Sequence, residues 1–471
     1  MGQVTVSALA AGLVAWGTVG AAQPAERRDV AKVFAETCAS CHGATLQGGQ
    51  AASLLDDVWM HGADDASVTR SIREGWPDAG MPAFGGALSD EEVRALVIFI
   101  REKVDEAKRA ATVYAKPSGD TVVKSEEHAF RVETVAEGLD TPWSVAFLPD
   151  GRMLVTEKPG RLRIVEKGRL LPEAVAGVPP VWSQGQGGLM DVAVHPDHAK
   201  NGWIYLSFSD PGENGTAMTK VVRGRLREGR LADQETLFEA PRALYRRGQV
   251  HFGSRFVFDG KGHLFFTIGE RGHSEDAQDL SRPNGKVHRI LDDGRVPEDN
   301  PFVKQTGAMP TIWSYGHRNP QGLAQHPVTG ELFDAEHGPR GGDELNLVLP
   351  GRNYGWPVIT YGMNYDGSPM TALTAKEGLE QPVVHWTPSI AVCAIDFYTG
   401  GRFPRWRSDL LVSSLAAEEL RRLVIEGGKV VKQEVLFKGI GRVRDVVVGP
   451  DGLVYVALNS PDRVARLVPA P

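Results

Sequence analysis

The sequence is poor in cysteine, and its charges form no basic block. Only three cysteines occur among 471 residues, which excludes a disulfide-stapled scaffold. Acidic residues outnumber basic ones, giving a formal net charge of −7, so a nucleic-acid groove has no electrostatic support. Hydrophobic residues make up 42 % and charged residues 24 %, near the averages of globular proteins, which excludes a disordered chain. The 54 glycines and 30 prolines favour short strands joined by tight turns, in about one to three domains.

Two of the three cysteines lie in the run Cys38 to His42, CASCH. A C-x-x-C-H run is typical of covalent c-type haem attachment, in which two thiols add to the haem vinyl groups and the histidine ligates the iron. A thioredoxin-like redox pair or a chance C-x-x-C run is the alternative interpretation. A sixth iron ligand is then needed, and Met81 is favoured over Met60 and His61 because it lies just before a predicted helix.

That helix is predicted to begin at a capping box, Ser89 to Glu92, and to run to about Val104. The order CxxCH, Met-Pro, final helix resembles the small class I cytochromes c over residues 26–108. The resemblance implies a small all-α domain that carries haem c. The implied thioether and axial ligands are Cys38, Cys41, His42 and Met81.

Residues 2–22 carry no charge and end in the small residues Gly20 to Ala22. This stretch predicts a secretory signal peptide over residues 1–22, and an uncleaved membrane anchor is the alternative. Because haem c attachment needs thiols in an exported compartment, either version predicts a periplasmic protein of a bacterium. Membrane contact is expected only if the segment stays uncleaved.

A polar linker is predicted over residues 109–127, and residues 128–471 then repeat one pattern. Each copy is a turn containing Pro, Asp or Gly, followed by a short apolar strand. Six copies follow one another at spacings of about 50 to 70 residues. Their turn glycines are Gly151, Gly202, Gly260, Gly330, Gly401 and Gly452. The repeat predicts an all-β six-bladed β-propeller after the all-α cytochrome c domain; a two-sheet sandwich, the alternative, would be oversized.

Unusual polar groups cluster where strands of this propeller should end. The clusters are 185–191, 251–255, 269–272, 315–322, 336–346, 353–357 and 442–445. Taken in this order, they resemble the soluble aldose sugar dehydrogenases that use pyrroloquinoline quinone (PQQ), relatives of soluble quinoprotein glucose dehydrogenase. The resemblance spans about residues 128 to 468.

The resemblance implies a role for each matched residue. His251 is the implied general base on the sugar C1 hydroxyl, supported by Glu270 where the family usually has aspartate. Arg318 is the implied stabiliser of the quinone oxygen. The implied contacts to PQQ or substrate are Gln186, Arg318, Asn319, Gln321, Arg442 and Arg444. The carbonyls of Gly338 and Pro339 match the ligands of a calcium ion that bridges to PQQ, and Glu344 and Tyr354 match a second calcium site.

One position departs from the family. Ala416 stands where the family commonly has a lysine that pairs with PQQ. Losing a cation from a tricarboxylate site is expected to weaken binding by roughly tenfold to a hundredfold. Arg421 or Arg422, on the same predicted hairpin, are candidates to compensate. The third cysteine, Cys393, lies in an apolar run and is predicted to be a buried small hydrophobe.

Together these features predict a quinohaemoprotein. Its propeller would oxidise an aldose, or a related polyol or aldehyde, at PQQ. Its own haem c would accept the electrons and pass them to an external cytochrome or respiratory carrier. Two alternatives remain: a calcium-dependent propeller hydrolase such as a sugar lactonase, and a binding module that has lost PQQ and keeps the cytochrome as an electron carrier.

Overall fold

The computed structural model describes residues 1, 28–56 and 58–471. All but residue 1 of the predicted signal segment lies outside the described residues. The α-helices are α1 Val30–Thr37, α2 Ala39–His42, α3 Asp65–Glu74, α4 Asp90–Ala111 and α5 His198–Asn201. Short 3-10 turns occupy Pro77–Ala79, Glu213–Gly215, Arg242–Leu244, Ser274–Ala277 and Pro404–Trp406. Among the described residues, none of the helices has both the length and the apolar character that a membrane span requires.

The N-terminal unit is all-α, and its helices α1, α3 and α4 pack around one apolar core. Helix α4 begins as predicted: Ser89 caps it, and both hydrogen bonds of the capping box with Glu92 form. The helix continues past the predicted end at Val104 to Ala111, because its last turns are rich in alanine, glutamate and lysine, which favour helix. The segment between the two units is therefore residues 112–122, shorter than the predicted linker.

The remaining chain forms six antiparallel sheets. Two strands precede blade 1: β1 Val123–Lys124 and β2 Ala129–Glu137. Blade 1 has β3 Pro142–Phe147, β4 Met153–Glu157, β5 Arg161–Glu166 and β6 Arg169–Leu170. Blade 2 has β7 Leu189–Val194, β8 Trp203–Pro211, β9 Thr216–Arg227, β10 Arg230–Phe238 and the short β11 Arg246–Arg247. Blade 3 has β12 Phe256–Phe258, β13 His263–Ile268, β14 Lys286–Leu291 and β15 Ile312–Tyr315.

Blade 4 has β16 Pro320–Gln325, β17 Leu332–Glu336, β18 Asp343–Leu347 and β19 Val384–Trp386. Blade 5 has β20 Val392–Phe397, β21 Leu410–Ser414, β22 Glu419–Glu426 and β23 Lys429–Lys438. Blade 6 has β24 Arg442–Val448, β25 Val454–Asn459 and β26 Arg463–Pro469, and β2 completes it by pairing antiparallel with β26. An N-terminal strand thus closes the ring in the last blade.

The six-bladed propeller predicted from the repeat is confirmed. Each of the six turn glycines lies between the first and second strands of one blade. The first strands β3, β7, β12, β16, β20 and β24 contact one another around the ring. Because the strands are antiparallel, a first strand begins and a second strand ends at the same end of the ring. We call this the site end.

A buried ionic hub joins the blades around the centre of the ring. Arg255 donates from Nη1 to Asp191 at 3.2 Å and to Asp445 at 2.9 Å, and from Nε to the carbonyl of Gln321 at 3.0 Å. Ser144 donates to the same Asp191 carboxylate at 2.5 Å. The hub therefore ties together blades 1, 2, 3, 4 and 6.

Replacing Arg255 by methionine is expected to destabilise the propeller strongly. The change keeps the volume but leaves Asp191 and Asp445 buried without their cation, which costs about 3–5 kcal/mol in unfolding free energy. Denaturant unfolding followed by tryptophan fluorescence measures this. The matched control is Arg295→Met, at an exposed arginine paired with Asp293, where a change within about 0.5 kcal/mol is expected. Equal effects of the two variants would contradict the role of the hub.

Candidate active site

The predicted propeller residues converge because of where they stand in their blades. Gln186, His251 and Arg318 lie in the loops that lead into first strands. Arg444 lies near the start of a first strand, and Glu270 follows a second strand. All these positions are at the site end. Loops from blades 2, 3, 4 and 6 therefore supply one site, although the residues are far apart in sequence.

His251 and Glu270 form the centre of this group. Glu270 is buried, and one of its carboxylate oxygens contacts Nδ1 of His251. The backbone N–H of His251 donates to Oε1 of Gln186 at 2.8 Å, and that of Glu270 donates to the carbonyl of Arg318 at 2.8 Å. Burial lowers the pKa of His251, and the Arg318 guanidinium acts in the same direction, whereas the hydrogen bond that Glu270 accepts raises it. The imidazole is therefore neutral at pH 7, with Nδ1 engaged.

Arg318 is held by carbonyl oxygens rather than by a carboxylate. Its Nη1 donates to the carbonyl of His337 at 2.9 Å and to that of Gly338 at 2.6 Å. Its Nη2 lies 3.5 Å from the hydroxyl of Tyr365. Within the described residues, its buried Nε has no hydrogen-bond partner.

A second group of polar side chains lies between blades 4, 5 and 6. Arg444 donates from Nη1 to Oε1 of Gln321 at 3.1 Å, and the thiol of Cys393 lies 3.3 Å from the same oxygen. Cys393 is fully buried, as predicted. Oδ1 of Asn319 accepts from the N–H of Gly253 at 3.2 Å, whereas the buried Nδ2 of Asn319 has no partner in the part of the chain described here.

The residues predicted to attach haem lie together in the helical unit. Cys38 caps the end of α1, and Cys41 and His42 lie in α2. Nδ1 of His42 lies 3.1 Å from the carbonyl of Ala52, a contact that leaves Nε2 free for a metal. Burial, with a smaller contribution from Cys41, raises the pKa of the Cys38 thiol to about 11.

The three candidates for the sixth ligand differ in their surroundings. Met81 is partly buried and packs against the apolar core of the helical unit. Met60 is 74 % exposed. His61 stacks on Trp76, with 3.7 Å between the ring centroids. Of the three, Met81 has the apolar surroundings that a ligand in a haem crevice needs. Ligation of the haem iron by Met81 stays a prediction.

Comparison with known proteins places both units. Residues 139–466 match the Glucose / Sorbosone dehydrogenase family, and residues 25–100 match the family described as Cytochrome C oxidase, cbb3-type, subunit III. The chain belongs to the glucose/sorbosone dehydrogenase family. It is 44 % identical over 335 residues to aldose sugar dehydrogenase YliI of Escherichia coli, covering 70 % of this chain and 90 % of that protein. It is an aldose sugar dehydrogenase propeller with a fused cytochrome c domain.

Solved structures agree with this assignment. A crystal structure of a glucose dehydrogenase is 44 % identical, with a TM-score of 0.69 over 72 % of this chain and 99 % of that one. The PQQ-bound form of aldose sugar dehydrogenase from Streptomyces coelicolor is 28 % identical, with a TM-score of 0.59 over 75 % of this chain and 99 % of that one. Both cover the propeller but not the whole chain.

The predicted calcium ligands of the dehydrogenase domain lie in a tight turn after β17. A Cβ on Gly338 would fall 1.7 Å from the carbonyl oxygen of Gly342, so only glycine fits there. The turn lies at the site end, and Arg318 contacts the carbonyl of Gly338. The carbonyl oxygens of Gly338 and Pro339 are hard ligands of the kind calcium prefers. Calcium binding stays a prediction.

Glu344 and Tyr354, the predicted second calcium ligands, border the same pocket as Gly338. The Tyr354 hydroxyl is already engaged, donating to the carbonyl of Leu347 and accepting from the N–H of Leu349. Burial, with the neighbouring Glu336, raises the pKa of Glu344. This second calcium also stays a prediction.

A buried cluster of His317, Asp334 and Glu336 lies next to these residues. Nδ1 of His317 is 3.2 Å from a carboxylate oxygen of each acid. Although burial alone would lower it, the two carboxylates raise the pKa of His317 to about 9. The imidazolium thus supplies the positive charge between them, while Glu336 also accepts the backbone N–H of Arg318.

The proposed compensation for Ala416 by Arg421 or Arg422 is wrong. Both lie in β22, the third strand of blade 5. Arg422 pairs with Asp409 and Glu434. Arg421 is paired with Glu419 and also contacts Gln433.

Sequence reasoning missed another cation, Lys158. It follows β4 directly, the position in blade 1 that corresponds to the segment after β21 carrying Ala416 in blade 5. Lys158 is half-buried, and in the described chain it has no salt-bridge partner. Burial lowers the pKa of Lys158, and the field of Arg444 lowers it further. Its position directly after a predicted second strand is the feature of the sequence that could have identified Lys158 as a site residue.

Proposed function

We propose that the propeller oxidises an aldose, or a related polyol or aldehyde, with PQQ, and that the fused haem c accepts the electrons. The observation that carries the proposal is a set of cations without carboxylate partners at the same end of the ring as His251 and Glu270. In the described chain, no salt bridge involves any member of this set. The set is Lys158, Arg318, Arg442 and Arg444.

These residues fit a tricarboxylated quinone. Lys158, Arg442 and Arg444 offer charge to carboxylates, and arginine does so through a planar pair of donors. Nε of Arg318 and Nδ2 of Asn319 are buried hydrogen-bond donors without a partner among the described residues, and oxygen atoms of PQQ could accept from them. Carbonyls of Gly338 and Pro339 would hold calcium beside them. When bound, PQQ supplies a two-electron acceptor next to the sugar.

His251 is the proposed base. Its Nδ1 contacts Glu270, so Nε2 is the nitrogen that would take the proton of the sugar C1 hydroxyl. Glu270 orients the ring and stabilises the imidazolium that forms. Glutamate is longer than the family aspartate, and here its carboxylate contacts Nδ1 of His251 while its N–H donates to the carbonyl of Arg318.

The pH profile follows from the lowered pKa of His251. A base works only when neutral, so kcat/KM should fall on acidification with an apparent pKa below the ordinary value of 6.5. Glu270→Gln should move this acid limb to lower pH still, because the Glu270 hydrogen bond raises the pKa of His251. Turnover with an artificial acceptor across pH measures both profiles. An acid limb above pH 6.5, or a shift to higher pH in the variant, would count against His251 as base.

The fused cytochrome explains where the electrons go. Oxidation of a sugar CH–OH group releases two electrons and two protons, whereas one haem iron takes one electron at a time. The haem is therefore proposed to be reduced twice per sugar and reoxidised each time by an external cytochrome or respiratory carrier. We propose a periplasmic location, as haem c attachment requires.

Titration of the calcium-loaded chain with PQQ, followed by protein fluorescence, tests the cofactor site. Saturable binding is expected, and Lys158→Ala should weaken it about tenfold, the effect of one charge-assisted contact. Lys261→Ala is the control, since Lys261 is exposed in the turn between β12 and β13, at the opposite end of the ring. An unchanged affinity in Lys158→Ala would remove that residue from the site.

The same titration separates the alternatives when an aldose panel and an artificial acceptor are added. PQQ-dependent sugar oxidation supports the proposal. Tight PQQ binding without oxidation of any sugar would favour a binding module. No PQQ binding, together with lactone hydrolysis, would favour a calcium-dependent hydrolase.

A further inference from the structure

The cytochrome domain is fastened to the propeller by an ion pair at the site end. Glu102 of α4 is only 5 % exposed, and both of its carboxylate oxygens face the guanidinium of Arg340. Nε of Arg340 lies 3.0 and 3.1 Å from the two oxygens, and Nη2 lies 2.7 Å from one of them. A bidentate pair of this kind fixes orientation as well as distance.

A propeller segment, residues 360–367, completes the contact, and we call it the docking loop. The N–H of Val30, at the start of α1, donates to the carbonyl of Gly367 at 3.0 Å. Nη2 of Arg94 in α4 donates to the carbonyl of Tyr361 at 3.2 Å. Met363 is 1 % exposed and belongs to the apolar core of the cytochrome domain. The propeller thus contributes a side chain to the cytochrome core.

The two units also approach closely at Gly341. Its φ is +83°, and a Cβ there would lie 3.0 Å from Cγ2 of Ile98 in α4. A side chain at this position would be strained and would push the helix away. Glycine at position 341 therefore allows helix α4 to lie directly against the propeller, which a loosely tethered domain would not require.

The docking loop also touches the active site. Arg340, next to Pro339, pairs with Met363 through two backbone hydrogen bonds of 3.1 and 2.8 Å. Two residues beyond Met363, the exposed Tyr365 places its hydroxyl 3.5 Å from Nη2 of Arg318, and its ring centroid 5.9 Å from the guanidinium carbon. A few consecutive residues thus join the cytochrome core to the residue proposed to face the quinone.

We infer that electrons leave the propeller for the haem across this one fixed contact, which the Glu102–Arg340 pair holds together. The inference rests on the proposed function. Each sugar loses two electrons and two protons at the propeller, and each electron reduces one ferric haem to ferrous before a single-electron carrier reoxidises it. Because the cytochrome domain stays docked at this contact, it does not have to diffuse on its linker to reach the propeller before each electron transfer.

The test compares charge reversal on one side with reversal on both. Glu102→Arg places two cations opposite each other and should open the contact. The double variant Glu102→Arg with Arg340→Glu restores an opposite-charge pair and should close the contact again. Glu36→Arg is the control, because Glu36 is exposed on α1 and pairs with Lys32 of the same helix. Three quantities are measured: X-ray scattering of the haem-containing chain without PQQ, anaerobic haem reduction by sugar after PQQ loading, and turnover with an artificial acceptor.

In Glu102→Arg we expect a larger radius of gyration and haem reduction about tenfold slower or more, because reversing one partner of a buried pair is strongly unfavourable. Turnover with the artificial acceptor should stay at the parent level. The double variant should regain most of the rate.

An unchanged radius in Glu102→Arg would overturn the role of the ion pair, and parent-like haem reduction in an opened variant would overturn the route. If the parent reduces neither haem nor artificial acceptor, the proposed function fails, and the scattering comparison still decides whether the pair holds the domains together.

Discussion

Replacing His251 by glutamine is expected to lower kcat/KM for the aldose by about 10²–10⁴-fold, the usual contribution of a positioned general base. The reason is the arrangement of its ring. Nδ1 contacts Glu270, and burial keeps the imidazole neutral, so Nε2 is left to accept a proton. Glutamine keeps polarity and similar volume but cannot accept the proton. Steady-state turnover with an artificial acceptor measures the effect.

Two comparisons make this result specific to the base. PQQ titration of His251→Gln should give parent-like affinity, because the cations proposed to hold the cofactor are elsewhere. His263→Gln is the control: His263 pairs with Asp259 at 2.7 Å near the opposite end of the same blade, and full activity is expected. If His251→Gln keeps activity within about threefold, proton abstraction by this residue is wrong.

Changing Cys38 and Cys41 together to serine is expected to remove the covalent haem completely and, with it, the sugar-dependent α-band of reduced haem. Both thiols sit at the junction of α1 and α2, where a thioether to each vinyl group would anchor the haem beside His42. The propeller has its own cores, so oxidation of sugar with an artificial acceptor should continue. Absorbance spectra and acceptor-linked turnover of the same preparation measure the two effects.

The third cysteine gives the control for that experiment. Cys393→Ala changes a buried thiol in the propeller, at the start of β20, and should leave the haem spectrum intact. If the double serine variant keeps covalently attached haem, the assignment of CASCH is wrong. If its turnover with the artificial acceptor also disappears while the chain remains folded, the cytochrome domain contributes to the propeller chemistry itself.

The propeller could be predicted because its signal is local and repeated. Every blade carries a turn glycine such as Gly151 or Gly452 between its first two strands, and turn chemistry depends on a few adjacent residues. The start of α4 was predictable for the same reason, since the capping box is contained in Ser89 to Glu92.

What the sequence did not reveal depends on contacts between distant segments. Arg422 looked free to reach the cofactor, but the register of β22 places it against Asp409 and Glu434. Lys158 follows a second strand, which the sequence pattern marks, but its closeness to Arg444 of blade 6 depends on closure of the ring. The Glu102–Arg340 pair joins residues 238 positions apart, and no periodicity in either segment marks it.

The measurement that tests the central claim most directly is the anaerobic absorbance of the haem α-band. The haem-containing chain, loaded with calcium and PQQ, is mixed with a panel of aldoses. We predict that the band of reduced haem appears only when PQQ and an oxidisable aldose are both present. A haem that stays oxidised with every sugar, while an artificial acceptor is reduced in the same solution, would contradict the transfer of electrons from the propeller to its own cytochrome.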